Sequence, residues 1–275
     1  MKINKFVSIL ALLLVFCSVM MTNMAFLESF KKPLAAPLQD SIPHAAKVLM
    51  IAYPEQIIGF ANNHIIWHDS TTMLFDDTIK NKSFQALLDS ADIEDQIAAM
   101  SYPITPIFKT PKKFQDPGRV RYQPFFLKMY GQNEVEVKKN LVEIEAFGQN
   151  FKVTKINGID KKIVLMWREL QQNPEWSKYL KNIGGIFTWR KISGTTRLSA
   201  HSFGMTIDIN TEFSNYWQWD SKDWKIHGEN VDLKYRNKIP LALVAIFEKY
   251  GFIWGGKWYH YDTMHFEYRP ELFVK

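Results

Sequence analysis

"RLSAHSFGMTIDIN", Arg197 to Asn210, sets a histidine and an aspartate seven positions apart with a glycine between them. Up to Gly204 the stretch reads as a loop. Beyond it Met205, Ile207 and Ile209 alternate with Thr206, Asp208 and Asn210, the period-2 pattern of a strand with one apolar face. Two readings are open at this point: the polar residues simply face water, or His201 and Asp208 converge on a common partner.

The C-terminal "YDTMHFE", Tyr261 to Glu267, bears on the choice because it holds Asp262, His265 and Glu267. If a last strand through Met264–Tyr268 runs antiparallel beside 205–210, His265 reaches the face of Asp208. Two imidazoles and one carboxylate then make three ligands with a fourth position open, the arrangement of catalytic rather than structural zinc. Zinc lowers the pKa of bound water towards roughly 7, and a free carboxylate nearby can take its proton. Asp262 is a candidate for that task. Strand parity denies it the face of His265, so it is expected in the turn that opens the strand.

The rest of the chain sets the frame. Its 275 residues are 47% hydrophobic and 15% aromatic, enough for a sizeable buried core and against disorder. A net charge of +6 favours an anionic environment such as a cell wall or membrane surface. No run of five basic residues occurs, so nucleic acid is not an expected partner. Lys2 and Lys5 followed by the apolar run Phe6–Met21 have the layout of an export signal. Asn23 and Pro37 make poor cleavage sites after Ala25 and Ala36, so an uncleaved N-terminal membrane anchor is the alternative. In both cases the bulk of the chain is expected outside the cytoplasm, in the periplasm or cell envelope. The single cysteine, Cys17, lies inside this segment, and Phe16 is bulky where a lipid-attachment site wants a small residue. The remainder has no disulfide and no thiolate ligand, which leaves His, Asp and Glu for any metal.

Elements fall irregularly along the chain. A signal or anchor over 1–27 and a Pro/Ala-rich linker over 28–45 precede an N-terminal elaboration over 46–136, with the core domain at 137–275. "QIIGFANNHIIWHDSTTMLFDD" reads as short strands with turns at Asn62-Asn63 and Asp69-Ser70. "SYPITPIFKTPKKFQDPGRVRYQPFF" is proline-rich and irregular, turning at Asp116-Pro117-Gly118. A hairpin is expected with its turn near Gly148-Gln149-Asn150. Helices are expected from an Asp160 N-cap to Gln171, around Pro174–Leu180, and from Pro240 to Tyr250 with Gly251 as the stop. Strands are expected at Ile186–Arg190 and Met205–Asn210, and a hairpin turning at Gly255-Gly256. The mixture argues an α+β fold built on a small antiparallel sheet with packed helices. No phosphate loop, GxGxxG, GxSxG or HExxH is present.

"SAHSFGMTID", 199–208, resembles the SxHxxGxAxD motif of the VanY-like zinc metallopeptidases, which include D-alanyl-D-alanine carboxypeptidases and L-alanyl-D-glutamate endopeptidases. "EKYGFIWGGKWYHYDTMHFE", 248–267, is similar to the C-terminal motif of the endopeptidase branch, closed by a DxxH pair. The resemblance spans roughly Ile186 to Glu267, under a third of the chain. It implies a VanY-like, Hedgehog-like core, one Zn²⁺ held by His201, Asp208 and His265, and Asp262 as the catalytic carboxylate. It also implies that Arg190 faces the substrate, binding a peptide carboxylate or the oxyanion. Thr206 departs from the family's alanine but removes no ligand. The implied substrate is the stem peptide of peptidoglycan, with D-alanine carboxypeptidase activity preferred. An endopeptidase, or a non-catalytic wall- or zinc-binding module, stands as the alternative, and a monomer is expected.

Other residues have plainer readings. Ser199 bonds locally to hold the His201 loop, or contacts substrate. Arg197 is a lesser candidate than Arg190 and reads as a surface loop charge; His260, adjacent to the site, could touch substrate but reads as an exposed strand histidine. Trp258 and Trp254 read as core or hairpin packing with a possible face on a groove, and Trp189 as core. Glu267 either orients a ligand or is a surface acid. His64 and His68 stand four apart, but in strand-like surroundings that do not suit a second metal.

Overall fold

The computed structural model describes residues 42–106 and 108–274. Pro43–Lys275 forms one compact unit. The expected signal or anchor and most of the linker lie outside the described residues. Among the described residues no helix is long and apolar enough to cross a membrane.

Helix α1 (His44–Ala52) buries Ala46, Val48 and Leu49. A meander follows, β1 (Ile57–Ala61), β2 (His64–Trp67) and β3 (Thr72–Leu74), paired antiparallel in that order. Its first turn is Asn62-Asn63, both at positive φ, a conformation asparagine tolerates and a tight hairpin requires. Helices α2 (Phe84–Ser90) and α3 (Ile93–Ala98) start where the Ser83 and Asp92 side chains accept the N–H groups of Ala86 and Asp95. The proline-rich stretch is irregular as expected up to Tyr122. Its end, however, is helix α4 (Gln123–Tyr130): Pro124 sits in the first turn, where its missing N–H costs nothing.

After α5 (Glu134–Lys139), β4 (Leu141–Ala146) and β5 (Gln149–Thr154) form the expected hairpin. Ala146 opposite Gln149 puts the turn at Phe147-Gly148, one residue earlier than the sequence suggested. Helix α6 (Ile159–Leu170) buries Ile159, Ile163, Met166 and Leu170 along one stripe. Gly158, in the left-handed conformation, caps it; Asp160 stands inside the first turn instead. Short helix α7 (Ser177–Leu180) follows a turn at Pro174–Trp176. Ile186–Arg190, expected as a strand, is not one. Its polar backbone bonds go to the His201 loop, with Thr188 N–H donating to the His201 carbonyl at 3.2 Å.

The third sheet places the motifs. Strand β6 (Thr206–Asp208) is followed by α8 (Trp217–Asp220), α9 (Trp224–His227), α10 (Leu241–Lys249), β7 (Phe252–Trp254) and β8 (His265–Tyr268). The order is β6-β8-β7, all antiparallel. Trp254 opposite Phe266 leaves 255–264 as a wide connection, so Gly255-Gly256 is not a tight hairpin turn. Those glycines instead open a 3-10 turn in which Gly256 lies flat on the Trp254 indole, where an added Cβ would stand 2.1 Å from the ring. Helix α10 covers the sheet through Phe247, whose ring stacks on Phe266 with centroids 3.8 Å apart. Among the described residues, three small antiparallel sheets and short helices make the α+β arrangement.

The N-terminal region packs on the C-terminal sheet through buried polar contacts. Tyr53 Oη donates to Glu271 at 2.6 Å, and Tyr102 Oη donates to Glu248 at 2.6 Å while accepting from Trp254 N–H at 2.9 Å. Trp258 Nε1 donates to the Pro117 carbonyl at 2.8 Å, and Arg269 Nη1 to that of Gly118 at 2.6 Å.

Candidate active site

Register fixes the first two groups. Asp208 and His265 stand directly opposite each other on β6 and β8, so both side chains leave the same face of the sheet. Asp208 is also pinned from its free side: its N–H donates to Gly185 O at 3.0 Å and its carbonyl accepts from Gly184 N–H at 2.7 Å.

His201 arrives from the 3-10 turn Ala200–Phe203, which closes on Gly204 in the left-handed conformation at φ 65°. An alanine there would meet Leu141 Cδ2 at 2.8 Å and Thr154 N at 3.2 Å as well as adopting a disfavoured φ. Gly204→Ala is therefore expected to cost about 1–3 kcal/mol, read as a lower urea midpoint at unchanged slope. The hydroxyl that holds this loop is that of Ser202, accepting from Arg190 N–H at 3.0 Å and donating to Arg190 O at 2.9 Å. Ser199, the sequence candidate, contributes its backbone, its N–H donating to Arg190 O at 2.9 Å, and is buried beside the cleft.

The three side chains meet. His201 Nε2 lies 3.1 Å from Asp208 Oδ2, and His265 Nδ1 lies 2.9 Å from Asp208 Oδ1. One ligand atom from each residue falls within 4.8 Å of the others. The far nitrogen of each ring has its own partner: His201 Nδ1 faces Ile186 O at 3.0 Å, and His265 Nε2 faces Glu267 Oε2 at 3.4 Å. The Ile186 carbonyl can only accept, so it fixes the Nδ1–H tautomer of His201 and turns a lone pair on Nε2 inward. Thr206 is fully buried and its hydroxyl donates to the same carbonyl at 3.4 Å. The residue that departs from the family motif thus sits on the support of a candidate ligand.

Electrostatics follow from burial among these neighbours. Burial opposes ionisation of Asp208, but His201 and His265 outweigh it and hold the carboxyl well below its usual range. Burial likewise opposes charge on His265, yet Asp208 and Glu267 push it up to about 10. For Asp262 the balance is reversed: burial first, then the nearby Asp208, raise it to about 6 against the lowering pull of His265, His201 and the Met264 N–H. Its Oδ1 is buried without a hydrogen-bond partner among the described residues. As expected, Asp262 lies just ahead of β8, in a single bridge with Tyr216.

These groups line one cleft of ≈ 350 Å³. Arg190 is at its mouth, exposed, with only a 3.5 Å contact to Lys191 O and no ion pair among the described residues. Trp258 is buried and forms a wall, its ring 5.7 Å from that of His265. Trp254 is wholly core; Trp189 is only partly buried.

Residues 193–268 match the family model described as D-alanyl-D-alanine carboxypeptidase. Over that stretch, about a quarter of its length, the chain is similar to that peptidase family. No curated protein and no solved structure gives a significant match. The peptidase match takes in His201, Asp208, Asp262 and His265, and stops short of Arg190 and of everything N-terminal to it.

Two sequence readings fail, His260 in the cleft wall and Arg197 outside it. His260 is not an exposed strand residue: it is 1% exposed, with Nδ1 2.7 Å from Asp116 and Nε2 2.8 Å from Glu229 O. Arg197 is half-buried, bonding Leu88 O at 3.3 Å and lying 3.3 Å from Asp89. Both errors arise because the covering residues come from distant segments. Sequence reading also missed Arg119 and Arg121, which line the same cleft. Arg119 pairs with Asp116 and Glu229, each at 2.8 Å. A signal existed in "GRVRY", where two arginines flank the buried Val120.

Proposed function

We propose that this protein is an exported zinc-dependent peptidase that hydrolyses peptidoglycan stem peptides, releasing the terminal D-alanine. One observation carries the reading: three metal-ligand side chains converge in a cleft beside a buried carboxylate oxygen that has no partner among the described residues. The donor set suits the ion, since two imidazoles, each giving up any proton on its ligating nitrogen, and one carboxylate are the three-ligand complement of catalytic zinc. His201 Nε2, Asp208 and His265 Nδ1 would hold it. When bound, zinc supplies Lewis-acid polarisation of the scissile carbonyl and acidifies water.

The protein's own residues do the rest. Asp262 Oδ1, unbonded and held near neutrality, takes a proton from the attacking water and returns it to the leaving amine nitrogen. Arg190, with no carboxylate partner among the described residues, takes the terminal carboxylate of the peptide or the developing oxyanion. Trp258 closes one wall against solvent. The N-terminal apolar segment with its two lysines supports an envelope location.

The purified protein incubated with a defined pentapeptide muropeptide is expected to yield a product lighter by one alanine. Chelation should abolish turnover and added Zn²⁺ restore it. Cleavage after L-alanine instead, read from the same product masses, would make it an endopeptidase. Binding of wall material with no hydrolysis in any metal state would leave only a binding module.

A further inference from the structure

Glu267 is the place where the N-terminal region touches the metal-ligand cluster. The carboxylate is wholly buried, and ionised carboxylates are costly to bury without compensation. Burial raises it, but Arg121 outweighs that and holds it well below the usual carboxylate range. Arg121 Nε lies 2.8 Å from Oε1 and 3.0 Å from Oε2, and Nη2 contacts Oε2, so the guanidinium grips both oxygens. Arg269 Nη1 adds a contact to Oε1 at 3.4 Å. The third neighbouring side chain is His265, whose Nε2 lies 3.4 Å from Oε2. Arg121 comes from the segment ahead of the family match, the other members from within it or directly after it.

We propose that Arg121 and Glu267 act together as positioning residues for His265, holding its ring with the proton on Nε2 and the Nδ1 lone pair turned towards Asp208 and the metal. The inference rests on the zinc reading above and assigns the N-terminal region a part in it. The physical reason is directional. A carboxylate clamped by a guanidinium fork cannot rotate to other partners, so its free lone pair stays fixed on Nε2. An acceptor fixed there selects one tautomer of His265, as Ile186 O does for His201, and raises the basicity of the ligating nitrogen. Loss of such a support typically weakens metal binding about 10–100-fold.

The test is zinc affinity, by competition against a chromophoric chelator, in the full-length protein and in Glu267→Gln, Arg121→Met and Arg121→Lys, with ¹⁵N imidazole spectra of the wild type. Glu267→Gln is expected to weaken zinc binding about 10–100-fold. Arg121→Met should weaken it by less, because Arg269 remains, and Arg121→Lys should recover part of the loss. The spectra should show His265 protonated on Nε2 in the zinc-loaded protein. Folded variants that bind zinc within twofold of wild type, or a His265 carrying its proton on Nδ1, overturn the proposal. So does an Arg121→Met that alters KM alone, since that marks a substrate contact. The spectra need no variant, so a misfolded substitution does not blunt the test. Wild-type protein that takes up no zinc, and is unchanged by His201→Ala, removes the zinc reading itself; wild-type binding with unaffected variants removes only this inference.

Discussion

Asp262→Asn is expected to lower kcat on a stem-peptide substrate by about 10²–10⁴-fold, the usual contribution of a positioned acid–base group, while zinc content stays at the wild-type level. The argument is geometric. Asp262 stands outside the three-donor cluster yet in the same cleft, with Oδ1 buried and unpartnered among the described residues. A buried carboxylate oxygen left unbonded is costly and calls for an explanation. Proton transfer supplies one, because hydrogen bonds to the ionised form would lower its basicity and consume the lone pair that must receive the proton. Asparagine has the same shape, so the fold and the ligands should be undisturbed. Steady-state kinetics beside metal analysis checks this: a variant retaining more than a tenth of wild-type kcat would show that the proton goes elsewhere.

Lys257→Met should be the most damaging single change away from the cleft. Lys257 and Glu248 are an ion pair with side chains 0% and 2% exposed. Glu248 is further satisfied by Tyr102 Oη at 2.6 Å and Thr105 N–H at 2.8 Å, while Lys257 Nζ reaches Thr105 Oγ1 at 3.1 Å. Removing only the cation leaves a buried carboxylate uncompensated, at a cost of about 3–5 kcal/mol. For a chain of this size that corresponds to a fall in Tm of roughly 6–20 °C. Pairing it with Glu248→Leu should recover much of the loss, because the penalty comes from the stranded charge and not from the missing attraction. Calorimetry on both variants decides; a single variant within 1 kcal/mol of wild type would show the pair to be dispensable.

What could be read from the sequence was what local chain geometry dictates. The alternation after Gly204 and the strand at the C-terminus fixed the pairing that sets Asp208 opposite His265. The Asn62-Asn63 turn and the α6 stripe were likewise visible, because φ preference and helical period act within a few residues. Cap and turn details failed where two local signals competed. Gly158 beside Asp160 is one case, and Gly255-Gly256 beside the Trp254 ring is another. Long-range polar pairing was not legible at all. His260 has no apolar periodicity around it, and its burial depends on Asp116 and Glu229, which lie far from it along the chain. Arg121 and Glu267 are similarly remote, and nothing in the composition of either segment names its partner.

The arginines of "GRVRY" also bear on how this scaffold could be exchanged between proteins. A graft cut at the borders of the homologous stretch would carry Glu229 and Glu267 without Arg119 and Arg121. It would transplant the wholly buried Glu267 carboxylate into a host without the guanidinium that neutralises it. The portable unit is consequently larger than the shared motif: a recombination boundary compatible with folding has to fall ahead of Asp116, upstream of the guanidiniums that make the interior electrically tolerable.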